Sequence, residues 1–246
     1  MVAMDAEQPD AGTSAGIARE ARRPRAVIAC GTGRYADPWH PYPETSAAIA
    51  ELLRADDWQV DVVENPDEAL AALDGAALLV VNAGDPWRNG EAARGADPDA
   101  EAGLTAAFGR GIGVIATHSA LSSLRDYPAF RRAIGGEWEA GRSWHPEIDD
   151  AAVRVVDDAH GIARADFTVF DERYTDLVVD DGATVLAVHD LDGVAHPVVW
   201  VRETSPGTAP VRALVSALGH DARAYESEEL RAVLTRGARW AARIDA

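Results

Sequence analysis

Apolar positions in this chain fall into short runs separated by polar breaks rich in glycine and proline. The first run, Arg25-Ala-Val-Ile-Ala-Cys30, closes on Gly31-Thr-Gly33. A run of that length ended by glycines predicts a strand buried on both faces. Over 43–55 the pattern changes, and Ile49, Leu52 and Leu53 recur at helical spacing. Glu44, Thr45 and Ser46 fall in the first turn of that helix, where acidic and small polar groups are favoured. A strand over 58–64, a proline-led helix over 66–73, a strand over 77–82, a helix over 99–110 and a strand over 113–117 continue the alternation. Short connections in such an alternation predict an α/β fold with an open, mostly parallel central sheet and helices on both faces. Ligands of such sheets bind beyond the carboxyl ends of the strands. Cys30–Arg34, Asn82–Asp85 and Thr117–Ala120 stand at those ends and are expected to meet in space.

The second half alternates less regularly. Strands are expected over 152–156, 167–170, 184–188 and 197–201, the last two separated by a turn over 189–193. A late strand over 211–218 runs into Gly219-His220-Asp221. A final helix over 227–244 carries one apolar stripe through Leu230, Val233, Leu234, Gly237, Trp240 and Ile244. Residues 1–24 have no sustained apolar period and are expected to be a disordered tail, followed by a single domain over 25–246. The polar stretch 84–100 is long for a bare connection and is a candidate functional loop.

Composition narrows the function classes. The chain has 246 residues, 47% of them hydrophobic and 26% charged, enough for a proper core. Its net charge of −18 argues against a nucleic-acid partner. No apolar run is long enough for a membrane span, and no apolar leader is visible, so a cytoplasmic setting is expected. All 23 basic residues are arginine. That excludes a Schiff-base lysine, pyridoxal phosphate and a lysine-bearing phosphate loop. The Gly31-Thr-Gly33 pair lacks the third glycine of a dinucleotide fingerprint, and no nucleotide cofactor is expected. The single cysteine, Cys30, excludes an internal disulfide and any multi-cysteine metal site.

Several constellations carry candidate chemistry. The strand over 113–117 runs straight into His118, then Ser119 and a predicted helix. Such a strand-to-helix turn exposes one reacting side chain, and backbone N–H groups at the helix start can hold an anion. The competing reading is a packed loop residue. Asp37-Pro-Trp39-His40-Pro-Tyr42-Pro-Glu44 follows the first strand. Its aromatic faces suit sugar rings, and its alternating prolines lower the ordering cost of binding. It reads equally as a rigid proline turn. Glu172 and Tyr174 would share one face if their strand continued, or belong to a charged turn. His220, after a buried strand and a glycine, is placed for a cleft, though a structural histidine is as good a reading. His40, His118, His196 and His220 all fall at element ends or in loops. With Glu172 they could share protons or bind a divalent metal. No paired histidine spacing fixes a metal, which leaves it open. Cys30 is an alternative nucleophile, although lone cysteines are usually buried and inert.

Taken together these pieces resemble the trehalose-utilisation (ThuA-like) family, whose fold is of the class I glutamine amidotransferase type. The matching segments are His40-Pro-Tyr-Pro-Glu44-Thr, Gly113-Val-Ile-Ala-Thr-His118-Ser119, Phe170-Asp-Glu172-Arg-Tyr174, His196-Pro-Val-Val-Trp200, Ala217-Leu-Gly-His220-Asp221 and Arg239-Trp-Ala-Ala242, in family order. The resemblance implies a flavodoxin-like sheet in which His118 replaces the elbow cysteine of true amidotransferases, so glutaminase chemistry is not expected. His145-Pro-Glu147 looks like an amidotransferase triad pair, but no strand precedes it and it reads as a loop. The resemblance further implies carbohydrate utilisation: trehalose, a related disaccharide or a keto-sugar. On that reading His118, His220 and Glu172 are the catalytic candidates. His40, Trp39, Tyr42, Ser119, Tyr174 and His196 are the substrate-binding candidates. The partner is a small-molecule sugar, and a homo-oligomer is left open. If the chain is an enzyme, it is a sugar hydrolase, lyase or isomerase using histidine acid–base or metal-assisted chemistry. The alternative is a non-catalytic sugar-binding or regulatory module on the same fold.

Overall fold

The computed structural model describes residues 23–88, 95–158 and 160–244. The expected tail over 1–24 lies almost wholly outside the described residues, as does the centre of the 84–100 loop. The apolar runs become β1 Arg25–Cys30, β3 Leu78–Asn82, β4 Gly113–Thr117 and β11 Val211–Ser216, each buried along nearly its whole length. β2 Gln59–Val63 is partly exposed, as suits an edge strand. These five pair in parallel in the order β2-β1-β3-β4-β11.

The expectation of a mostly parallel sheet needs correction. Beyond β11 the sheet continues through β10 Val194–Thr204, β9 Thr184–Leu191, β6 Asp149–Val155 and β7 Phe167–Asp171, all antiparallel. The nine-stranded sheet is therefore mixed. The cause is local. Asp192 and Gly193 both take positive φ, 52° and 79°, the signature of a two-residue hairpin turn whose twist matches its strands. The turn is thus far shorter than the expected 189–193 span. Pairing runs to its tip, and His189 and His196 face each other across strands.

α1 Tyr42–Ala55 links β1 to β2; α2 Pro66–Ala71 and α3 Pro98–Arg110 link β2 to β3 and β3 to β4. The first crossover moves one way along the sheet and the next two move the other way. Right-handed connections therefore put α1 on the opposite face from α2 and α3. α5 Glu228–Ala241 packs against β4, β11 and α1, while α2 packs against α3. Asp97 caps α3 by accepting from the N–H groups of Asp99 and Ala100, and Gly111 ends it at φ 77°. After β4 the structure has one 3-10 turn, His118–Leu121, where the sequence predicts a helix. α4 Pro128–Ile134 was not anticipated, nor was the small pair β5 Gly136–Glu137 and β8 Val178–Val179. A helix of seven residues between Pro128 and Gly135 is too short to show a period. No helix among the described residues is long and apolar enough to cross a membrane.

The three segments beyond β1, β3 and β4 interlock. Gly31 N–H donates to Asn82 O, Gly84 N–H to Tyr35 O, and Ser119 Oγ to Ala83 O. Nearby, the Asp67 carboxylate accepts from Arg34 at 2.9 and 3.0 Å, Tyr35 Oη at 2.8 Å and Tyr127 Oη at 2.7 Å. Burial pushes this carboxyl up, but those donors outweigh it and hold it below the usual carboxylate range. A depressed folded pKa adds stability that is present above the unfolded value of about 3.9 and is lost as pH falls through the folded one. Asp67→Asn should therefore cost about 1.5–3 kcal/mol at neutral pH. Urea unfolding of both chains should show the gap closing below the carboxylate range.

Candidate functional site

Three strand ends and one loop deliver the site. β4 stops at Thr117, and His118 follows at φ 46°, a left-handed backbone in a residue that is not glycine. That conformation costs about 1–2 kcal/mol and persists only where the surroundings enforce it. The enforcing contact is visible. His118 Nδ1 lies 2.9 Å from the carbonyl oxygen of Ala217, just past β11. Its imidazole is fully buried. Two residues further on, Gly219 at φ 119° turns the chain so that His220 points back toward His118. β7 ends at Asp171, which accepts the N–H groups of Gly219 and His220, and Glu172 follows it. The Asp37–His40 loop after β1 closes the remaining side.

The nearest ligand-type atoms of His40, His118, His220 and Glu172 all lie within 4.8 Å of one another. His118 Nε2 is 3.3 Å from Glu172 Oε2 and 3.3 Å from His220 Nδ1. His220 Nδ1 is 3.3 Å from the same carboxylate oxygen. His40 packs edge-on to both other imidazoles, its ring centroid 5.0 Å from His118 and 4.8 Å from His220. All four side chains are of metal-ligating type.

Electrostatics differ sharply within the cluster. Burial pulls His118 down to about 4, so its imidazole is neutral at working pH. Burial also works against the charged form of His220, but Glu172 more than offsets it and raises that histidine. Glu172 is pushed up by burial, yet hydrogen bonds and charge from His118 and His220 hold it far below the carboxylate range. Asp37 receives Tyr42 Oη at 2.7 Å and His40 Nδ1 at 2.8 Å, which outweigh its burial and lower it to about 2. Asp171 is fully buried, and burial raises it to about 7 despite N–H donors from Gly219, His220 and Glu172. It ties the end of β7 to the turn that carries His220.

A cavity of about 210 Å³ opens over the cluster, lined by His40 and Glu172 and walled by Trp39, Trp138, Tyr174 and Arg88, with His145 at its edge. Arg88 lies over the Trp39 ring, 4.9 Å from its centroid. Trp138 meets Tyr174 edge-on at 4.6 Å, and Tyr174 packs on His118 at 4.2 Å. A second cavity, about 290 Å³, shares Trp138 as a wall and includes Trp87, Arg125 and Glu137.

Of the residues singled out in the sequence, the structure brings His118, His220, Glu172, His40, Trp39 and Tyr174 together. Tyr42 and Ser119 are buried beside the cavity, with their hydroxyls 2.9 Å apart; Tyr42 braces Asp37 and reaches no cavity wall. His196 lies outside the group. It stands in β10, stacks on His189 at 5.1 Å and receives the Asp176 N–H. Cys30 is buried in β1, and burial pushes its thiol up, away from reactivity. Sequence reasoning missed Asp37 as the partner of His40, and Asp171 as the tie between strands. It also missed Arg88, Trp138 and His145. His145 Nε2 comes within 3.7 Å of Glu172 Oε1 because Trp144 bridges to Thr175. Its His-Pro-Glu setting was the one available signal.

The profile of the ThuA (trehalose utilisation) family matches residues 26–241. The chain belongs to the ThuA family. Among solved structures this ThuA chain is similar to a ThuA-like protein from Parabacteroides merdae, at 16% identity and TM-score 0.70, with 90% of each chain covered. A ThuA-like protein from Bacteroides uniformis aligns at 14% identity and TM-score 0.67, over 89% of this chain and 92% of that one. Part of a β-galactosidase from Rahnella sp. R3 also aligns, at 19% identity and TM-score 0.52, covering 89% of this chain but 31% of that one. At these identities the likeness is one of fold. No curated protein sequence matches the chain. ThuA membership supports a role in carbohydrate utilisation.

Proposed function

We propose that this ThuA chain is a carbohydrate-processing enzyme that binds a sugar ring in the cavity over His40, His118, His220 and Glu172. The observation that carries this reading is the convergence of those four groups under aromatic walls. Trp39, Trp138 and Tyr174 offer faces for the apolar side of a pyranose, and Arg88 offers donors to its hydroxyls. The parallel half of the sheet supports a flavodoxin-like arrangement of the amidotransferase type, with His118 at the elbow. A histidine there cannot form a thioester, so the reacting groups serve a hydroxyl, or a carbon beside a carbonyl. Glu172 meets the reacting atoms at the cavity wall, with His118 and His220 each 3.3 Å from its carboxylate, the group moving protons or holding a cation.

The first cavity is smaller than the roughly 300–1,000 Å³ of drug-sized sites and fits one ring. A disaccharide would place its second ring across Trp138, toward Trp87 and Arg125. Trp138→Ala should then weaken a disaccharide by about tenfold or more, with a smaller effect on the monosaccharide. Calorimetric titration of both ligands checks this.

The reading itself is tested by thermal unfolding with disaccharides and their keto forms, each with and without Zn²⁺ or Mn²⁺. A ligand at about 100 times its Kd adds about 2.7 kcal/mol, a rise of roughly 5–11 °C for a chain of this size. Turnover should follow for the sugars that shift. A shift without turnover would favour a binding module, and no shift with any sugar would remove the proposal.

A further inference from the structure

The tautomers of the cluster can be read from what lies behind each ring. His118 Nδ1 faces only the Ala217 carbonyl at 2.9 Å, so it carries the proton. His40 Nδ1 faces the Asp37 carboxylate at 2.8 Å, so it carries the proton there too. With Nδ1 so engaged in each ring, Nε2 is the atom left for a ligand. The Glu172 carboxylate places its Oε2 at the same point, 3.3 Å from both His118 Nε2 and His220 Nδ1. His40 Nε2 is buried and has no hydrogen-bond partner. Buried acceptors facing one another with no donor between them are costly.

One proton cannot repair this. A proton on His220 Nδ1 lies along one of its two 3.3 Å edges, toward His118 Nε2 or toward Glu172 Oε2. The third edge, His118 Nε2 to Glu172 Oε2 at 3.3 Å, stays acceptor against acceptor, and His40 Nε2 stays bare. A central cation could be shared by all four groups, whose ligand atoms lie within 4.8 Å of one another. The three 3.3 Å separations match the edge of a tetrahedron around an ion with bonds of about 2.0–2.1 Å, which is about 3.3–3.4 Å.

We propose that His40, His118, His220 and Glu172 are the ligand set of one divalent first-row transition-metal ion. The proposal deepens the reading of the cleft as a reacting site, and its own evidence is the lone-pair geometry. Three imidazoles and one carboxylate suit Zn²⁺, Co²⁺, Fe²⁺, Ni²⁺ or Mn²⁺ rather than Mg²⁺ or Ca²⁺. The outer partners also fit. A ligating histidine generally donates its other N–H to a carboxylate or a backbone carbonyl, as His40 does to Asp37 and His118 to Ala217. The cavity lies over His40 and Glu172, the side on which a sugar oxygen would approach an ion.

The test uses the full chain, stripped with chelator and titrated with Zn²⁺ and Co²⁺. Expected are one Zn²⁺ per chain by elemental analysis, and visible absorption bands of a four- or five-coordinate Co²⁺ site. Glu172→Gln and His220→Ala should each weaken Zn²⁺ by about 100-fold, and Asp37→Asn by about 10–100-fold. His196→Ala, outside the cluster, should bind as the parent does. Thermal unfolding of the stripped variants shows which remain folded, and Glu172→Gln, nearly isosteric, serves where His220→Ala does not. Absence of stoichiometric Zn²⁺ or Co²⁺ in the parent overturns the proposal and leaves proton transfer as the chemistry, whatever the sugars do. Equal loss in His196→Ala and Glu172→Gln also overturns it. Stoichiometric metal in a chain that no sugar shifts would keep the metal centre and remove the sugar reading.

Discussion

Changing His118 to asparagine is expected to cut turnover of the sugar substrate by about 10²–10⁴-fold while leaving the chain folded. Asparagine is chosen because position 118 sits at φ 46°. Asn accepts left-handed backbone more readily than alanine does. Its amide can also donate toward the Ala217 carbonyl, which His118 Nδ1 now satisfies. The imidazole Nε2 that meets Glu172 and His220 is lost in either case. The stability cost should stay near the usual 1–2 kcal/mol for one substitution, a few degrees in Tm at this size. Steady-state kinetics and thermal unfolding on one preparation decide the matter. Full turnover in the variant would remove His118 from the reacting groups, and collapse of the fold would show that it serves mainly to pin β4 to β11.

The second expectation concerns two glycines of α3 and runs against simple propensity. Replacing either by alanine should gain about 1 kcal/mol from helix preference alone. At Gly109 a Cβ meets nothing within 4 Å, so that gain should appear. At Gly103 a Cβ would lie 2.2 Å from the backbone oxygen of Leu70 and 2.9 Å from Ala71 Cα in α2. Backbone cannot swing aside as a side chain can. The two helices must separate, and Gly103→Ala should cost about 1–3 kcal/mol. Chemical denaturation of the two variants therefore predicts opposite signs for the same substitution in one helix. If both stabilise, the close approach of α2 and α3 is not rigid.

How much of this was legible in the sequence depended on what each signal needs. β1, β3, β4 and β11 were readable because strands buried on both faces leave unbroken apolar runs. α1 and α5 are long enough for their period to show, and α4 is not. The hairpin at Asp192-Gly193 was read as a wider turn because His189 and Asp190 look like loop residues, although the two-residue turn alone suffices. His196 was misplaced for the same reason. His118 and His220 were findable because the carboxyl ends of parallel strands share one edge of the sheet. Glu172 was findable only as the residue after a strand, and its approach to His118 goes with the Asp171 tie to the Gly219–His220 turn, which pattern does not report. Asp171 gave no sign, since a carboxylate that binds three backbone N–H groups looks in sequence like any acid after a strand. Asp37 and His40 are three residues apart, yet the hydrogen bond that fixes the His40 ring is a matter of rotamer, which spacing does not report.

The place of β11 in the sheet has a consequence for how the chain is made. It lies between β4 and β10 and joins the parallel strands to the antiparallel ones, yet it comes late in the chain. A ribosome adding about 5–20 residues per second needs roughly 5–20 s to travel from the end of β4 to the start of β11. Throughout that interval the nascent chain holds an apolar β4 with one edge unpaired, the kind of edge that recruits other chains. Only the emergence of β11 completes both halves of the sheet and brings His220 to His118. A chain cut short before Val211 would lose the middle of its sheet, not its end, and would be a substrate for proteolysis instead of a shorter working protein.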